Sequence, residues 1–416
     1  MTGHGSAAGS PAGDDPSNPR GVRAQWGLVA GASLVSTALG AYEIAPASVT
    51  PLVRESLSVG ATAAGLLVGV MFGTAVVASL PAGALLDRTN SRSTMAAAVL
   101  VLFVAGAWGW AAARSGDYPS LLASRVAGGL AYVVVWNAGI DIVSRATGDA
   151  QRATAVGVFT ASAPVGFALG QAGGPVVAGW LGWPAVFLAF DGLAAVGLLL
   201  FWPTSRGLGA SSESAPTLGE FGGVLTNRGV WLVGGLGFVG YALYLFVNSW
   251  GPSYLTTEIG LSLGASGALV ALFPAVGVLA RVGSGVLSDR LFGGRRRPVA
   301  LGAFLLAAPL VGGVALVRSI AVLVGALLVA GFAIQLVLGL SFTYVGELVS
   351  VRVAATAVAF QTSVGLAGAF VAPIVGGAIV DAAGYAVAFG LAGGLAAFGI
   401  ALAWCAPEPA AARKDL

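Results

Sequence analysis

The chain has 416 residues, 57% of them hydrophobic and 9% charged, with a mean hydropathy of +0.90. A soluble domain carries roughly 25% charged residues, so a water-soluble globule is excluded. The net charge of +3 does not point to nucleic acid either, because the basic residues fall between apolar runs, where they act as topology signals.

Residues 1–23 are rich in Gly, Ser, Pro and Asp and read as a disordered tail without a cleavable hydrophobic leader. Apolar runs long enough to span a bilayer, at ~20 residues each, follow at 25–46, 60–82, 94–113, 119–143, 154–178 and 183–203. A polar linker occupies 204–228. Six more runs lie at 229–250, 264–286, 298–317, 320–343, 355–380 and 385–405. The spacing predicts an all-α integral membrane protein with twelve transmembrane helices in two six-helix halves, 24–203 and 229–406, and a short tail at 407–416.

Placing both termini inside puts fifteen basic residues in cytoplasmic segments, from Arg20 to Lys414, against Arg54, Arg114 and Arg318 outside. That bias predicts cytoplasmic termini and a multi-pass protein of the cell membrane. The halves repeat each other at an offset near 202: GLAAVG at Gly192 matches GLAAFG at Gly394, and Phe187 matches Phe389. Parallel repeats of this kind are a transporter architecture.

Cys405 is the only cysteine, His4 the only histidine and Lys414 the only lysine. An intrachain disulfide, a histidine-based triad, a histidine-rich metal site and a Walker A loop are therefore excluded. No converging catalytic groups appear, so the chain does not read as an enzyme, and no metal or cofactor beyond a coupling proton or sodium ion is expected.

Two tracts break the apolar pattern in the same way. PAGALLDRTNSR carries Gly83, Asp87, Arg88 and Arg92, and GSGVLSDRLFGGRRRP carries Gly285, Asp289 and Arg290 at the same spacing. A helix-end glycine lets a neighbouring helix approach, and the charged groups can bond to helix ends or to acids across the bundle. Both tracts resemble the loop motif G-x-L-A-D-R-x-G-R-R/K of the major facilitator superfamily, with Asn90, Ser91 and Phe292 as departures. Span 4 carries LLASRVAGG around Arg125, similar to the family's R-x-x-Q-G with Gly128 for glutamine. Span 5 is similar to G-x-x-x-G-P-x-x-G-G through the helix-packing residues Gly170, Gly174, Pro175 and Gly179.

The resemblance implies two halves rocking about a central site, a loop motif that latches one state, and a chain functional as a monomer. It gives Asp141 a place in the first latch, although a local pair with Arg145 explains it equally. Glu347 would serve the second copy with Arg290 or Arg295.

An ionisable group at mid-bilayer costs about 2.5 kcal/mol or more, so each needs a reason. Glu43 is either a proton carrier or an interfacial acid. Arg125 and Asp191 lie at similar depth, and a buried pair within the first half is the preferred reading, with Arg125 facing the cavity as the other. Arg281 breaks the repeat, since Ser79 holds the equivalent place. It is a substrate anchor, a gate charge or a snorkelling side chain. Asn137, Gln171, Asn248, Gln335 and Gln361 could line a cavity or join helices. The expected function is secondary active, proton-coupled transport of a small solute, with an organic or inorganic anion favoured. Drug efflux by antiport and a transporter-like sensor are the alternatives, and the partners are the lipid bilayer and a small-molecule substrate, not nucleic acid.

Overall fold

The computed structural model describes residues 19–86, 89–206 and 218–409. Among these, every regular element is helical, as a bilayer requires of a chain whose backbone groups must be satisfied within each segment. The first half runs α1 Pro19–Ser48, α2 Thr50–Leu57, α3 Ala61–Leu86, α4 Ser91–Ser115, α5 Tyr118–Ala146, α6 Asp149–Leu181 and α7 Asp191–Thr204, with a 3-10 turn at Trp183–Phe187 before α7. The short α8 Leu218–Thr226 follows. The second half runs α9 Arg228–Thr257, α10 Leu263–Ala275, α11 Gly277–Phe292, α12 Arg297–Gly312, α13 Ile320–Glu347 and α14 Ala354–Cys405.

Ten described helical segments are long and apolar enough to cross a membrane. The shorter apolar α12 adds an eleventh. The 52-residue α14 is two passes joined at Gly384, whose φ of 80° and ψ of 176° turn the chain without a loop. The sum, ten plus one plus one, is the expected twelve.

Local chemistry explains the departures from the predicted spans. One run at 264–286 is two helices, because Pro274 removes a backbone donor and the chain breaks at Val276. The helix α2, which apolar run length does not reveal, carries Pro51 in its first turn and stops at Ser58 in the left-handed region, φ 52°. Inside the polar linker, α8 is tied to α9 by a hydrogen bond from Trp231 Nε1 to the Leu225 carbonyl, 2.7 Å.

Buried apolar side chains form two clusters. One is drawn from residues 28–201. The other comes from 224–406 together with first-half residues such as Phe72, Val133 and Phe167 along the contact between the halves. Leu100, Leu199, Leu305 and Phe398 are exposed on the outside of the helices, as befits faces turned to lipid rather than water.

Candidate functional site

A cavity of about 30 Å³ lies between the two clusters, walled by α1, α3, α5, α6, α9 and α11. That is room for about two waters. Its walls are aromatic: Phe72, Tyr132, Trp136, Phe167, Tyr241 and Tyr244. The rings brace one another, Phe72 edge-on to Tyr132 at 5.7 Å and Phe167 against Tyr244 at 5.1 Å, within the range favoured by aromatic pairs.

Two ionisable side chains enter this space, Glu43 from α1 and Arg281 from α11. Arg281 Nε donates to Gln335 Oε1 of α13 at 2.8 Å, and Nη1 reaches the Thr160 carbonyl of α6 at 3.4 Å. Its Nη2 makes no hydrogen bond among the described residues. Glu43 is buried, and among the described residues its carboxylate has neither a hydrogen bond nor an ion pair. The two charges thus stand on opposite halves of one cavity, unpaired with each other.

Arg125 is elsewhere. Wholly buried, it donates through Nε to the Leu67 carbonyl (2.9 Å), through Nη1 to Tyr42 (3.0 Å) and through Nη2 to Glu43 (2.7 Å). It also lies over the Tyr42 ring at 4.6 Å. The expected Arg125–Asp191 pair is absent: all three guanidinium nitrogens are spent on backbone carbonyls of α1 and α3. Both Asp191 carboxylate oxygens are buried without a partner among the described residues. Asp191 sits in the first turn of α7, where the helix N-terminus favours a negative charge, and packs against Gly106 of α4.

The amide side chains divide. Gln171 Nε2 of α6 donates to the Asn248 carbonyl of α9 at 2.6 Å, joining the halves, and Gln361 Nε2 donates to Ser341 Oγ at 3.1 Å within the second half. Gln335 supports Arg281. Asn137 is half-buried on α5 and makes no side-chain hydrogen bond among the described residues.

The halves meet most closely at the end away from the arginine-rich loops. There α3 and α14 cross through glycines: a Cβ on Gly65 would overlap the Pro373 carbonyl, and one on Gly69 would come within 2.6 Å of the Phe370 carbonyl. The contact ends in a group that sequence reasoning missed. Asp381 of the second half accepts hydrogen bonds from Ala61 N (2.8 Å), Thr62 N (2.9 Å) and Thr62 Oγ1 (2.9 Å) of the first, and from Arg54 Nη2 of α2 at 3.3 Å. A carboxylate 320 residues away therefore caps α3, whose own cap position holds Gly60. A helix start with no capping side chain of its own was the available signal.

At the arginine-rich end the charged contacts between described residues run within each half. Arg145 Nε donates to Asp141 Oδ1 at 2.9 Å and Nη2 to Ser91 Oγ at 2.7 Å, so Asp141 and Ser91 tie α5 to the start of α4. Arg92 does not meet an acid among the described residues; its guanidinium lies on the Trp202 ring at 3.8 Å. Asp87 and Arg88, expected in the first latch, lie outside the described residues, and of Gly83 only the helical backbone is described. In the second half the bridging group is Arg296, not Arg290 or Arg295. It donates to Asp289 Oδ1 (2.8 Å) and to Glu347 Oε1 and Oε2 (2.8 and 3.0 Å), and its backbone N–H to Glu408 (3.2 Å). The Glu347 hydrogen bonds raise the guanidinium's proton affinity further above its ordinary value. Gly285 sits on α11 with open space where a Cβ would project.

The family model of the Major Facilitator Superfamily matches residues 29–370 and, in a second placement, 252–416. The chain belongs to the Major Facilitator Superfamily. Among similar proteins are a probable L-galactonate transporter of Escherichia coli strain K12, 26% identical over 59% of this chain and 58% of that protein, and a chloramphenicol resistance protein of Streptomyces lividans, 30% identical over 46% and 49%. The chain thus spans about half the length of the curated relatives it matches. A solved bacterial homologue of the human lysosomal transporter Spinster, in an inward-facing, unoccupied conformation, superposes with a TM-score of 0.79 at 18% identity, over 96% of this chain and 99% of that one. The shared fold is that of the superfamily, two six-helix halves about a central space.

Within this superfamily member the span-5 glycines do unequal work. A Cβ on Gly170 would come within 2.7 Å of the Ala41 carbonyl of α1, and one on Gly174 would collide with Ser48 Oγ, whereas Gly179 has open space around it. Pro175 faces Gly267 of α10, where a Cβ would lie 2.8 Å from the proline ring. Half of the motif seals α6 to α1 and part of it seals α6 to the second half.

Proposed function

We propose that the chain is a secondary active transporter of the cell membrane that carries a small anion together with a proton, its two halves rocking about the cavity between α1, α5, α9 and α11. One observation carries the proposal: Arg281 and Glu43 share a cavity from opposite halves without pairing. An arginine does not titrate in a protein, so the site holds a fixed positive charge. With Glu43 ionised the two charges sum to zero; with Glu43 protonated the site is positive by one and an anion is drawn in. The proton and the anion then travel as a pair.

The arginine-rich end is the cytoplasmic one, by its fifteen basic residues against three. The closure by Asp381 and the α3–α14 glycines then lies on the outer side. A relative named for L-galactonate is in keeping with an anionic substrate. The aromatic lining favours a second reading, antiport of a lipophilic compound, in keeping with the relative named for chloramphenicol resistance.

Proteoliposomes with separately imposed pH and sodium gradients test the proposal. Acid outside is expected to drive anion accumulation, and Glu43→Gln to abolish accumulation while sparing anion exchange. Accumulation driven by sodium alone, or by Arg281→Gln at the wild-type apparent affinity, would refute it.

A further inference from the structure

The lining of the cavity narrows the class of anion. Resting on the transporter reading above, we propose that the substrate is a monocarboxylate carried on an aromatic or otherwise apolar body, rather than a polyhydroxylated acid or an inorganic oxyanion. Three observations lead there.

First, among the described residues the cavity offers a single cation. Arg125, the other intramembrane arginine, gives its three nitrogens to the carbonyls of Leu67, Tyr42 and Glu43 and does not line the space. Arg281 keeps Nη2 unspent, with Nη1 held by only one long bond. One guanidinium edge matches one carboxylate; a doubly charged phosphate would leave a negative charge unmatched.

Second, most of the amide groups that would read sugar hydroxyls are committed elsewhere, and what remains unpaired among the described residues is the Gln335 amide N–H and lining hydroxyls such as that of Tyr244. The Gln171 and Asn248 side chains bond across α6 and α9, Gln361 bonds to Ser341, and Gln335 Oε1 accepts from Arg281. A polyol entering this space would strip its hydroxyls of water and re-bond only those that reach the few unpaired groups, and each hydroxyl left buried and unpaired weakens binding about tenfold.

Third, what the cavity supplies in quantity is ring faces and edges, six aromatic side chains of which four are braced in two pairs. The space is contracted in this state, and a flat apolar body is what such rings accept as they part, by offset or edge-to-face contact.

The test is equilibrium binding of radiolabelled benzoate to the purified full-length protein, with gluconate, inorganic phosphate and tetraphenylphosphonium as competitors. Benzoate is expected to bind saturably, with gluconate and phosphate at least about tenfold weaker. Arg281→Gln is expected to weaken benzoate about tenfold or more, with Arg281→Lys intermediate because it keeps the charge and loses the fork. Trp136→Gln should weaken benzoate and not gluconate, and a melting curve of each variant separates lost binding from lost fold. Arg281-dependent binding of gluconate or phosphate in preference to benzoate overturns the apolar class and leaves the anion transporter standing. Benzoate binding indifferent to Arg281, binding of tetraphenylphosphonium alone, or binding of none of the four overturns both.

Discussion

Replacing Asp381 probes how the end away from the arginine-rich loops, the outer one in the proposed orientation, is held shut. Its carboxylate accepts two backbone N–H groups and one hydroxyl at the start of α3, and one guanidinium nitrogen of Arg54. Losing an N-cap side chain costs about 0.5–2 kcal/mol. Arg54 and Asp381 are each about one-third exposed, at 31% and 32%, so their ion pair adds at most about 1 kcal/mol. Because the donors sit on one half and the acceptor on the other, the loss falls on the closed state rather than on either half's own fold. Asp381→Ala is therefore expected to shift the equilibrium toward outer opening by about 1–2 kcal/mol, roughly five- to thirtyfold. Asp381→Asn, which keeps a capping oxygen, should do less. The assay is the rate at which an impermeant maleimide labels Ala64→Cys, buried on α3, in a Cys405→Ser background in intact cells. Equal labelling rates with and without Asp381, in variants that melt alike, would refute the account of the closure.

Arg125→Met removes a charged donor from three buried carbonyls, of which that of Tyr42 has no helical donor because Pro46 stands four residues on, and should lower stability by about 1–3 kcal/mol, whereas Asp191→Asn should be close to neutral because its carboxylate has no partner to lose; detergent-phase melting of the two variants checks the contrast. Arg296→Gln cuts charged hydrogen bonds to Asp289 and Glu347 and is expected to cost about 1.5–3 kcal/mol, while Arg290→Gln costs under about 0.5 kcal/mol, again by melting. Gly170→Ala should destabilise by more than about 1 kcal/mol through the Ala41 carbonyl, and Gly179→Ala should not, since nothing lies within reach. Thr226→Cys on the exposed end of α8, without Cys405, should resist an impermeant reagent until cells are permeabilised; ready labelling from outside would invert the orientation.

Much of this was legible in the chain. Twelve passes follow from run length and hydropathy, because a bilayer leaves helices few alternatives, and only the Pro274 break and the loop-free corner at Gly384 altered their drawing. Arg281 stood out since it has no counterpart in the first half, and it is one of the two charges in the cavity. Partners were less legible. Arg125 was matched with an acid because charge is visible in a sequence, yet its partners are backbone carbonyls, which every residue carries. Arg296 rather than Arg290 or Arg295 meets Glu347 because the extra residues after Phe292 shift the helix start, and that phase emerges only in three dimensions. Asp381 lies 320 residues from the helix it caps, and nothing local to either segment announces the other.

Under the proposed function, the 3.4 Å contact between Arg281 Nη1 and the Thr160 carbonyl makes one side chain serve as both receptor and strap. The guanidinium leans across the gap and touches the other half; a carboxylate arriving at the same nitrogen would displace that contact. Occupancy and mobility are then tied to a single rotamer. On that reading an unloaded molecule would stay fastened and a loaded one would be let go, so slippage without cargo would be restrained by the residue proposed to recognise the cargo.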